Sequence, residues 1–336
     1  MNPDLEALLS QPSAADVAAL GALEGDLLIL GVAGKMGPSL ARLAHRGSEL
    51  AGRPRRIIGV ARFSVPGLRE ALERDGIETV QADLLDRREV DSLPDSPNVV
   101  FLVGQKFGTS SDQPLTWATN SYAAALVAER FAHSRTVVFS TGNVYPLTPV
   151  TGGGSRETDH PAPVGEYAQS ALGRERIFQF FSIRRQSPTA ILRLNYAIEP
   201  RYGVLRDVAD RVRRREPIDL TTGYVNVIWQ RDANSVALRA LAHCATPPLF
   251  LNVTGPETVA IRTLAGRFGS RWGIEPVFRG AESGTALLSN AGRCVELFGP
   301  PETGLNQMIE QVAEWIEAGG GALGKPTHYE EREGNF

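Results

Sequence analysis

The stretch DLLILGVAGKMG at residues 26–37 decides the fold. Its apolar run, LLIL, is short and unbroken, which predicts a β-strand buried on both faces. Glycines spaced G-x-x-G-x-x-G follow, and a helix is predicted over residues 34–46. In a strand-turn-helix unit such glycines permit a tight turn and close approach of a pyrophosphate, which the helix N-terminus binds. The stretch predicts a dinucleotide-binding loop, with a merely structural turn as the alternative. The residues expected to contact the cofactor there are Gly31, Gly34, Lys35, Met36 and Gly37.

Strand and helix patterns alternate from this loop to residue 193. The predicted strands are 56–60, 78–81, 98–103, 136–139 and 189–193, and the predicted helices are 67–75, 87–93, 117–133 and 167–182. Such alternation is typical of the α/β class and predicts a Rossmann doubly wound parallel sheet.

After Glu199 strand and helix patterns no longer alternate regularly, and a further strand is predicted at 224–229. We expect a helical extension at 1–25, the Rossmann domain at 26–198 with 225–255 returning to it, and a C-terminal tail at 319–336. A smaller α/β substrate lobe is assigned to 199–224 and 256–318, because open sheets bind ligands at the carboxyl ends of their strands. Pro326, Tyr329 and Phe336 are unusual in a purely solvated tail, which favours a flap over the cleft.

Composition excludes several classes of protein. The 336 residues are 42% hydrophobic and 22% charged with a net charge of -3, so wholesale disorder and attraction to nucleic acid or anionic membranes are not expected. No apolar run reaches membrane-spanning length, and the N-terminus lacks a secretory pattern. Two cysteines suit the cytoplasm, and the histidines lack metal-ligand spacing, so we expect no metal. Only three lysines stand against 32 arginines, so each lysine is worth checking for a specific role.

The end of the second strand bears on which dinucleotide is bound. Dinucleotide sites usually place a carboxylate there for the adenine ribose, but this chain reads Ala61-Arg62-Phe63. A guanidinium at Arg62 can pair with a 2′-phosphate, so NADP is favoured slightly over NAD. The alternative is a solvated surface arginine.

The motifs together resemble those of the extended short-chain dehydrogenase/reductases, the branch that contains nucleotide-sugar epimerases and dehydratases. The resemblance runs over about residues 26–318. It rests on the glycine loop, on STGNVYP at 140–146, and on the Glu157-x-x-x-Pro161-x-Pro163 approach to Tyr167. It implies further cofactor contacts from Asp83, Leu84, Val103, Gly104, Lys106 and Asn120. It implies catalytic roles for Thr141 and Tyr167, and substrate contacts from Asn143, Arg193, Asn195 and Arg231.

The sequence departs from this family at one position that matters for catalysis. The family signature is Tyr-x-x-x-Lys, but this chain has Ala171 four residues after Tyr167. The lysine lowers the pKa of the tyrosine and binds the nicotinamide ribose, and alanine supplies neither effect. Lys106 or Arg174 can substitute as the cation, although the run Arg174-Glu175-Arg176 itself favours a salt-bridged, solvated helix face. Alternatively, the chemistry does not need an acidified tyrosine, or the site binds a dinucleotide without turnover.

Two functions remain open at this point. The first is an NAD(P)-dependent oxidoreductase or epimerase that transfers hydride to or from a sugar-like or hydroxylated carbonyl substrate, with Tyr167, Thr141 and Lys106 as catalytic residues. The second is a catalytically degraded dinucleotide-binding sensor or scaffold. The resemblance also implies a homodimer through the helices at 117–133 and 167–182.

Overall fold

The computed structural model describes residues 5–106, 108–109, 111–325 and 327–335. Numbered along the chain, its strands are β1 (Leu27–Leu30), β2 (Ile57–Ala61), β3 (Glu78–Gln81), β4 (Asn98–Phe101), β5 (Arg135–Thr141), β6 (Thr148–Pro149), β7 (Thr189–Leu194), β8 (Ala197–Ile198), β9 (Ile218–Asp219), β10 (Tyr224–Val225), β11 (Ile228–Trp229), β12 (Leu249–Val253), β13 (Val259–Ala260), β14 (Phe278–Arg279) and β15 (Thr285–Ala286). Its α-helices are α1 (Leu5–Leu9), α2 (Ala14–Ala22), α3 (Gly37–Leu50), α4 (Leu68–Arg74), α5 (Arg87–Asp91), α6 (Gln113–Trp117), α7 (Ala123–Arg130), α8 (Gly165–Arg185), α9 (Val204–Arg214), α10 (Gln230–Ala240), α11 (Ile261–Trp272), α12 (Gly292–Phe298) and α13 (Leu305–Glu317).

Seven of these strands form one parallel sheet in the order β12-β7-β5-β4-β1-β2-β3, which confirms the predicted fold class. All four residues of β1 are buried, as its unbroken apolar run predicts. The chain runs outward from β1 to β3 and then returns to place β4 on the other side of β1. The reversal leaves a crevice at the carboxyl ends of β1 and β4, where ligands of open α/β sheets bind.

Helices cover both faces of the sheet. Residues of α2, α3 and α10 pack with Leu27 and Ile29 on one face, and residues of α5, α7 and α8 pack with Leu28 and Leu30 on the other. A separate core joins α1, α9, α11 and α13 beside the carboxyl ends of the strands. Leu251 in β12 belongs to the sheet core, so this late strand packs with the first half of the chain.

Three local predictions were wrong. The first long helix begins at Gly37 rather than Gly34, because a turn with Gly31 at φ +88° precedes it. The helix predicted over 117–133 is α6 and α7 joined by a π-helical turn at Ala118–Tyr122. The strand predicted at 224–229 is two separate dipeptide strands, β10 and β11, which pair with different partners.

The early residues are integrated into the fold. Ser13 begins α2 with a capping box, because its hydroxyl accepts from the Asp16 N–H and the Asp16 carboxylate accepts from the Ser13 N–H. Leu20 of α2 joins the sheet core, whereas Leu5 and Leu9 of α1 join the core of the smaller lobe. Within the described part of the chain, no helix is long and apolar enough to cross a bilayer.

Candidate functional site

Two adjoining cavities lie at the carboxyl ends of the strands. The first, here the glycine-loop cleft, has a volume of about 420 Å³ and follows the ends of β1 to β4. The second, here the tyrosine cavity, has a volume of about 160 Å³ and is lined by Lys35, Thr141, Asn143 and Tyr167. Lys106 lines both cavities and so marks where they meet.

Most residues predicted to contact the cofactor line the glycine-loop cleft. Those residues are Gly31, Gly34, Arg62, Asp83, Leu84, Val103, Gly104 and Lys106. Lys35 and Met36 line the tyrosine cavity instead, although they belong to the same loop. Gly37 and Asn120 are buried and line neither cavity among the described residues.

Two glycines of the loop stand where the chain packs too closely for a side chain. A Cβ at Gly31 would lie 3.0–3.2 Å from atoms of Val103 and Leu102, and the φ of +88° there disfavours any other residue. A Cβ at Gly37 would lie 2.2 Å from the carbonyl oxygen of Val32. Close packing of the loop thus places Gly34 in the lining of the cleft just before the start of α3, and a helix start suits the binding of a phosphate. These residues fit a pyridine dinucleotide.

Thr141 and Tyr167 meet in the tyrosine cavity from different elements. Thr141 ends β5, and its hydroxyl donates to Asn143 Oδ1 at 3.0 Å and accepts from the Asn143 N–H at 3.1 Å. Tyr167 lies in the first turn of α8 and is half-buried. The structure thus places a hydroxyl donor and a phenol around one small space.

Ala171 stands where the family has its lysine, and packing separates this position from the tyrosine cavity. Ala171 is buried against Val144 and Tyr145. Arg174, one turn further along α8, is buried too, which overturns the interpretation of this segment as a solvated face. Its guanidinium donates to the carbonyl oxygens of Phe139 and Asn120 at 2.7 and 3.2 Å and to Asn120 Oδ1 at 2.8 Å. Burial lowers the pKa of Arg174, and the interaction with Tyr167 opposes that shift.

Asn120 joins three elements behind the two cavities. It lies in the π-helical turn, where its side-chain oxygen accepts from the Gln105 N–H at 2.8 Å and from Arg174. Its amide nitrogen donates to the Gln105 carbonyl oxygen at 3.0 Å and to Ser170 Oγ at 2.9 Å. The predicted cofactor residue therefore fixes the β4 loop to α8.

Two of the lysines point into the tyrosine cavity. Lys35 Nζ donates to the carbonyl oxygen of Ala197 at 2.7 Å and lies 4.4 Å from the centre of the Tyr202 ring. Lys106 Nζ donates to the carbonyl oxygen of Thr327 at 3.1 Å. Burial lowers the pKa of Lys35 to about 7 and that of Lys106 to about 8. The sequence predicted a cofactor contact for Lys35 from its place in the glycine loop, but it did not predict a position in the tyrosine cavity.

Two predicted substrate residues do not reach this cavity. Arg193 forms a buried ion pair with Glu175, at 2.8 Å between Nη2 and Oε2, and Arg231 pairs with Asp232 and Glu302 at the start of α10. Neither belongs to the described lining of the tyrosine cavity, so the prediction of direct substrate contact is not supported for them. Asn195 does line it and donates to Asn226 Oδ1 at 2.7 Å.

The C-terminal tail runs along both cavities. Lys325 lines the glycine-loop cleft, and Thr327 lines the tyrosine cavity while its N–H donates to Asp207 Oδ2 at 2.8 Å. Tyr329 is buried in the core of the smaller lobe, and Arg332 donates to the carbonyl oxygen of Thr285 at 2.9 Å. The described tail therefore lies where the flap prediction placed it. Pro326 and Phe336, on which that prediction also rested, lie outside the described residues.

No group of three metal-ligating side chains occurs in the described ranges.

No protein-family model matches the chain, and no curated protein matches it in sequence. Solved structures do resemble it. MoeE5 in complex with UDP-glucuronic acid and NAD has a TM-score of 0.70 at 21% identity, covering 88% of this chain and 100% of that one. UDP-glucose 4-epimerase from Thermotoga maritima with UDP-glucose has a TM-score of 0.71 at 18% identity, covering 88% and 99%. UDP-glucuronic acid 4-epimerase from Bacillus cereus with NAD has a TM-score of 0.71 at 18% identity, covering 87% and 99%.

These similarities extend over nearly the whole of each neighbour and therefore define the class of fold. The chain shares the α/β fold of these three structures, two of which are nucleotide-sugar epimerases.

Proposed function

We propose that the protein is an NAD(P)-dependent oxidoreductase or epimerase that transfers hydride to or from a hydroxylated, sugar-like substrate. The observation that carries the proposal is the joining of the glycine-loop cleft to a cavity that holds Tyr167 and Thr141. Solved neighbours with the same fold were determined with UDP-sugars and NAD, which supports this assignment of the two cavities. The two cysteines are free thiols, which agrees with a cytoplasmic location.

In this proposal the chain supplies binding, orientation and proton transfer. A bound dinucleotide supplies a nicotinamide ring that accepts or donates hydride. Tyr167 exchanges a proton with the reacting hydroxyl, and Thr141 donates a hydrogen bond to the same oxygen after turning away from Asn143. Gly31, Gly34 and the start of α3 hold the phosphates.

Arg174 is the cation that we propose for Tyr167 in place of the missing lysine. Three acceptor contacts fix its guanidinium in a buried position, and Tyr167 is the first of the groups whose charge interaction favours the protonated form of Arg174. Arginine stays protonated even when buried, so this charge does not depend on pH in the working range. Lys106, which lies between the cavities, contacts the cofactor in this assignment.

The glycine loop provides a test of dinucleotide binding. We expect Gly34→Asp to weaken binding by about a hundredfold or more, close to 3 kcal/mol, because a carboxylate would face the phosphates. Gly34→Ala is the matched control, since its Cβ would lie 3.3 Å from the Gly31 carbonyl oxygen and adds no charge. Calorimetric titration of both folded variants measures the difference. Affinity retained by the aspartate variant would mean that the loop is only a structural turn.

We also propose a preference for NADP over NAD. Arg62 is exposed at the rim of the cleft, and Ala61 stands where a ribose-binding carboxylate is usual. We expect NADP to bind about tenfold more tightly, or about 1.4 kcal/mol, and Arg62→Ala to abolish the preference. Arg53→Ala, an exposed arginine outside the cleft, is the control. Equal affinities in the unaltered protein would refute the preference.

A homodimer is proposed through α6, α7 and α8. Large apolar side chains on α6, on the π-helical turn before α7 and on α8 are exposed, which is unusual on a face that contacts only water. They are Leu115, Trp117, Tyr122, Phe180 and Ile183. Sedimentation analysis of the purified chain tests this assembly.

The second candidate is a dinucleotide-binding sensor or scaffold, which Ala171 in place of lysine favours. Extraction of bound nucleotide, followed by absorbance near 340 nm with UDP-sugars and simple carbonyl substrates, separates the two functions. Redox turnover of the cofactor supports the enzyme, whereas tight binding without turnover of any substrate supports the sensor.

A further inference from the structure

Two lysines line the tyrosine cavity, and its described lining contains no aspartate or glutamate. The acids that interact with these lysines, Glu199 with Lys35 and Asp207 and Glu330 with Lys106, lie outside that lining. The remaining polar lining groups near the catalytic pair are hydroxyls and amides, such as Ser140, Asn143 and Asn195. A small space bordered by two ammonium groups without a carboxylate is suited to an anion.

The surroundings of Lys35 compensate its ammonium charge only in part. Nζ donates to the neutral carbonyl oxygen of Ala197 and lies over the face of the Tyr202 ring. Glu199 is the nearby acid, but its carboxylate already accepts from the Arg201 N–H at 2.9 Å and from Arg201 Nε at 3.0 Å. Burial is the largest cause of the lowered pKa of Lys35, and Glu199 opposes it without restoring the usual value. An ammonium held in this way is stabilised when an anion binds beside it.

The ammonium of Lys35 has more donors than the Ala197 carbonyl oxygen uses. An ammonium has three donors, and the Ala197 carbonyl oxygen takes one of them. In a chain with 32 arginines, a compact ammonium at this point provides a point charge that a planar guanidinium would not.

We propose that Lys35 binds an anionic oxygen group, a carboxylate or a phosphate, inside the tyrosine cavity. The inference rests on the proposed function, because that function makes this cavity the place of the substrate. The group is then either an acidic substituent of the substrate or a phosphate of the dinucleotide itself. In either case Lys35, a residue of the glycine loop, acts in the cavity of Tyr167 rather than in the cleft of the glycines.

Three lysines make a direct measurement possible. Protein labelled with ¹³C-lysine gives three side-chain signals, which Lys35→Met, Lys106→Met and Lys325→Met assign. The pKa of Lys35 is then followed by NMR with D-glucuronate, with D-glucose, which lacks the carboxylate, and with NADP or NAD alone. The charged and titratable groups around Lys35 are Glu199, Arg201, Tyr202, Lys106 and Tyr167, and they are the same in every titration.

We expect an anion to raise the pKa of Lys35 by one unit or more. A shift with D-glucuronate but not with D-glucose assigns the group to an acidic substrate, and a shift with the dinucleotide alone assigns it to a phosphate. If the pKa of Lys35 shifts neither with D-glucuronate nor with a dinucleotide, the proposal is overturned. The readout does not need turnover, so an inactive protein that still shows the shift would refute the enzyme without refuting the anion site.

A binding measurement separates charge recognition from a purely structural role of Lys35. Calorimetric titrations compare UDP-glucuronate and UDP-glucose on Lys35→Met, with Arg176→Met as the control that removes one exposed charge from α8. If Lys35 binds a substrate carboxylate, we expect Lys35→Met to weaken the binding of UDP-glucuronate by tenfold or more relative to the binding of UDP-glucose. For a dinucleotide phosphate we expect the same loss in NADP or NAD binding instead. Equal small losses for all ligands would mean that Lys35 only fixes the Ala197 loop, and the proposal would fail.

Discussion

Tyr167→Phe is expected to lower turnover by about a thousandfold, or about 4 kcal/mol of transition-state stabilisation. The substitution removes only the phenolic oxygen from a half-buried side chain in the first turn of α8. Because Tyr167 is absent from the described lining of the glycine-loop cleft, we expect dinucleotide affinity to change little. Initial rates at 340 nm measure the loss, and calorimetry with the dinucleotide verifies that the cofactor site is intact. Unchanged turnover would mean that the family mechanism does not operate here.

The role of Arg174 is tested in the same series. Arg174→Met should lower turnover by about tenfold and change the pH profile of turnover, since it removes a buried positive charge that interacts with Tyr167. Arg174→Lys keeps the charge and should retain more activity, which controls for loss of the contacts to Asn120 and Phe139. Ala171→Lys is not expected to recover activity in the Arg174→Met background, because position 171 is buried against Val144 and Tyr145. If neither Arg174→Met nor Lys106→Met changes the profile, Tyr167 acts without either cation.

Features that depend on local sequence could be predicted. The LLIL run, the glycine spacing and the alternation of strands and helices specify the sheet and its cleft, because each is set by burial or by backbone freedom over a few residues. The positions of Thr141 and Tyr167 followed from motifs at the end of a strand and the start of a helix. The structure places these two residues in one cavity, as the resemblance implied.

Features that depend on contacts between distant segments could not be predicted. Arg174 lies in a run of charged residues typical of a solvated face. Its guanidinium is nevertheless buried, and the carbonyl oxygen of Phe139 and the side chain of Asn120 accept its hydrogen bonds. Lys35 lies in the glycine loop, but its ammonium reaches the segment after β7. Nothing in either local sequence indicates these partners.

The buried Arg193–Glu175 pair is the site of the largest expected loss of stability. The two side chains are 3% and 0% exposed, and Glu175 also accepts from Ser140 Oγ at 2.6 Å, while Arg193 donates to the Tyr145 hydroxyl at 2.6 Å. Although burial alone lowers the pKa of Arg193, hydrogen bonding to Glu175 raises it overall. The network therefore fixes Ser140, the neighbour of Thr141, to α8 and β7.

Arg193→Met should lower the free energy of unfolding by about 3–5 kcal/mol, because it leaves the Glu175 carboxylate buried without its partner. Urea unfolding at neutral pH measures this, with Glu73→Gln as the control, since its ion pair with Arg69 is about half exposed and should contribute little. The double variant Arg193→Met with Glu175→Leu removes both charges and should be more stable than Arg193→Met alone. A loss as small as that of the exposed control would contradict the assignment. If the double variant regains stability but not turnover, the pair positions Thr141 through Ser140 rather than only stabilising the fold.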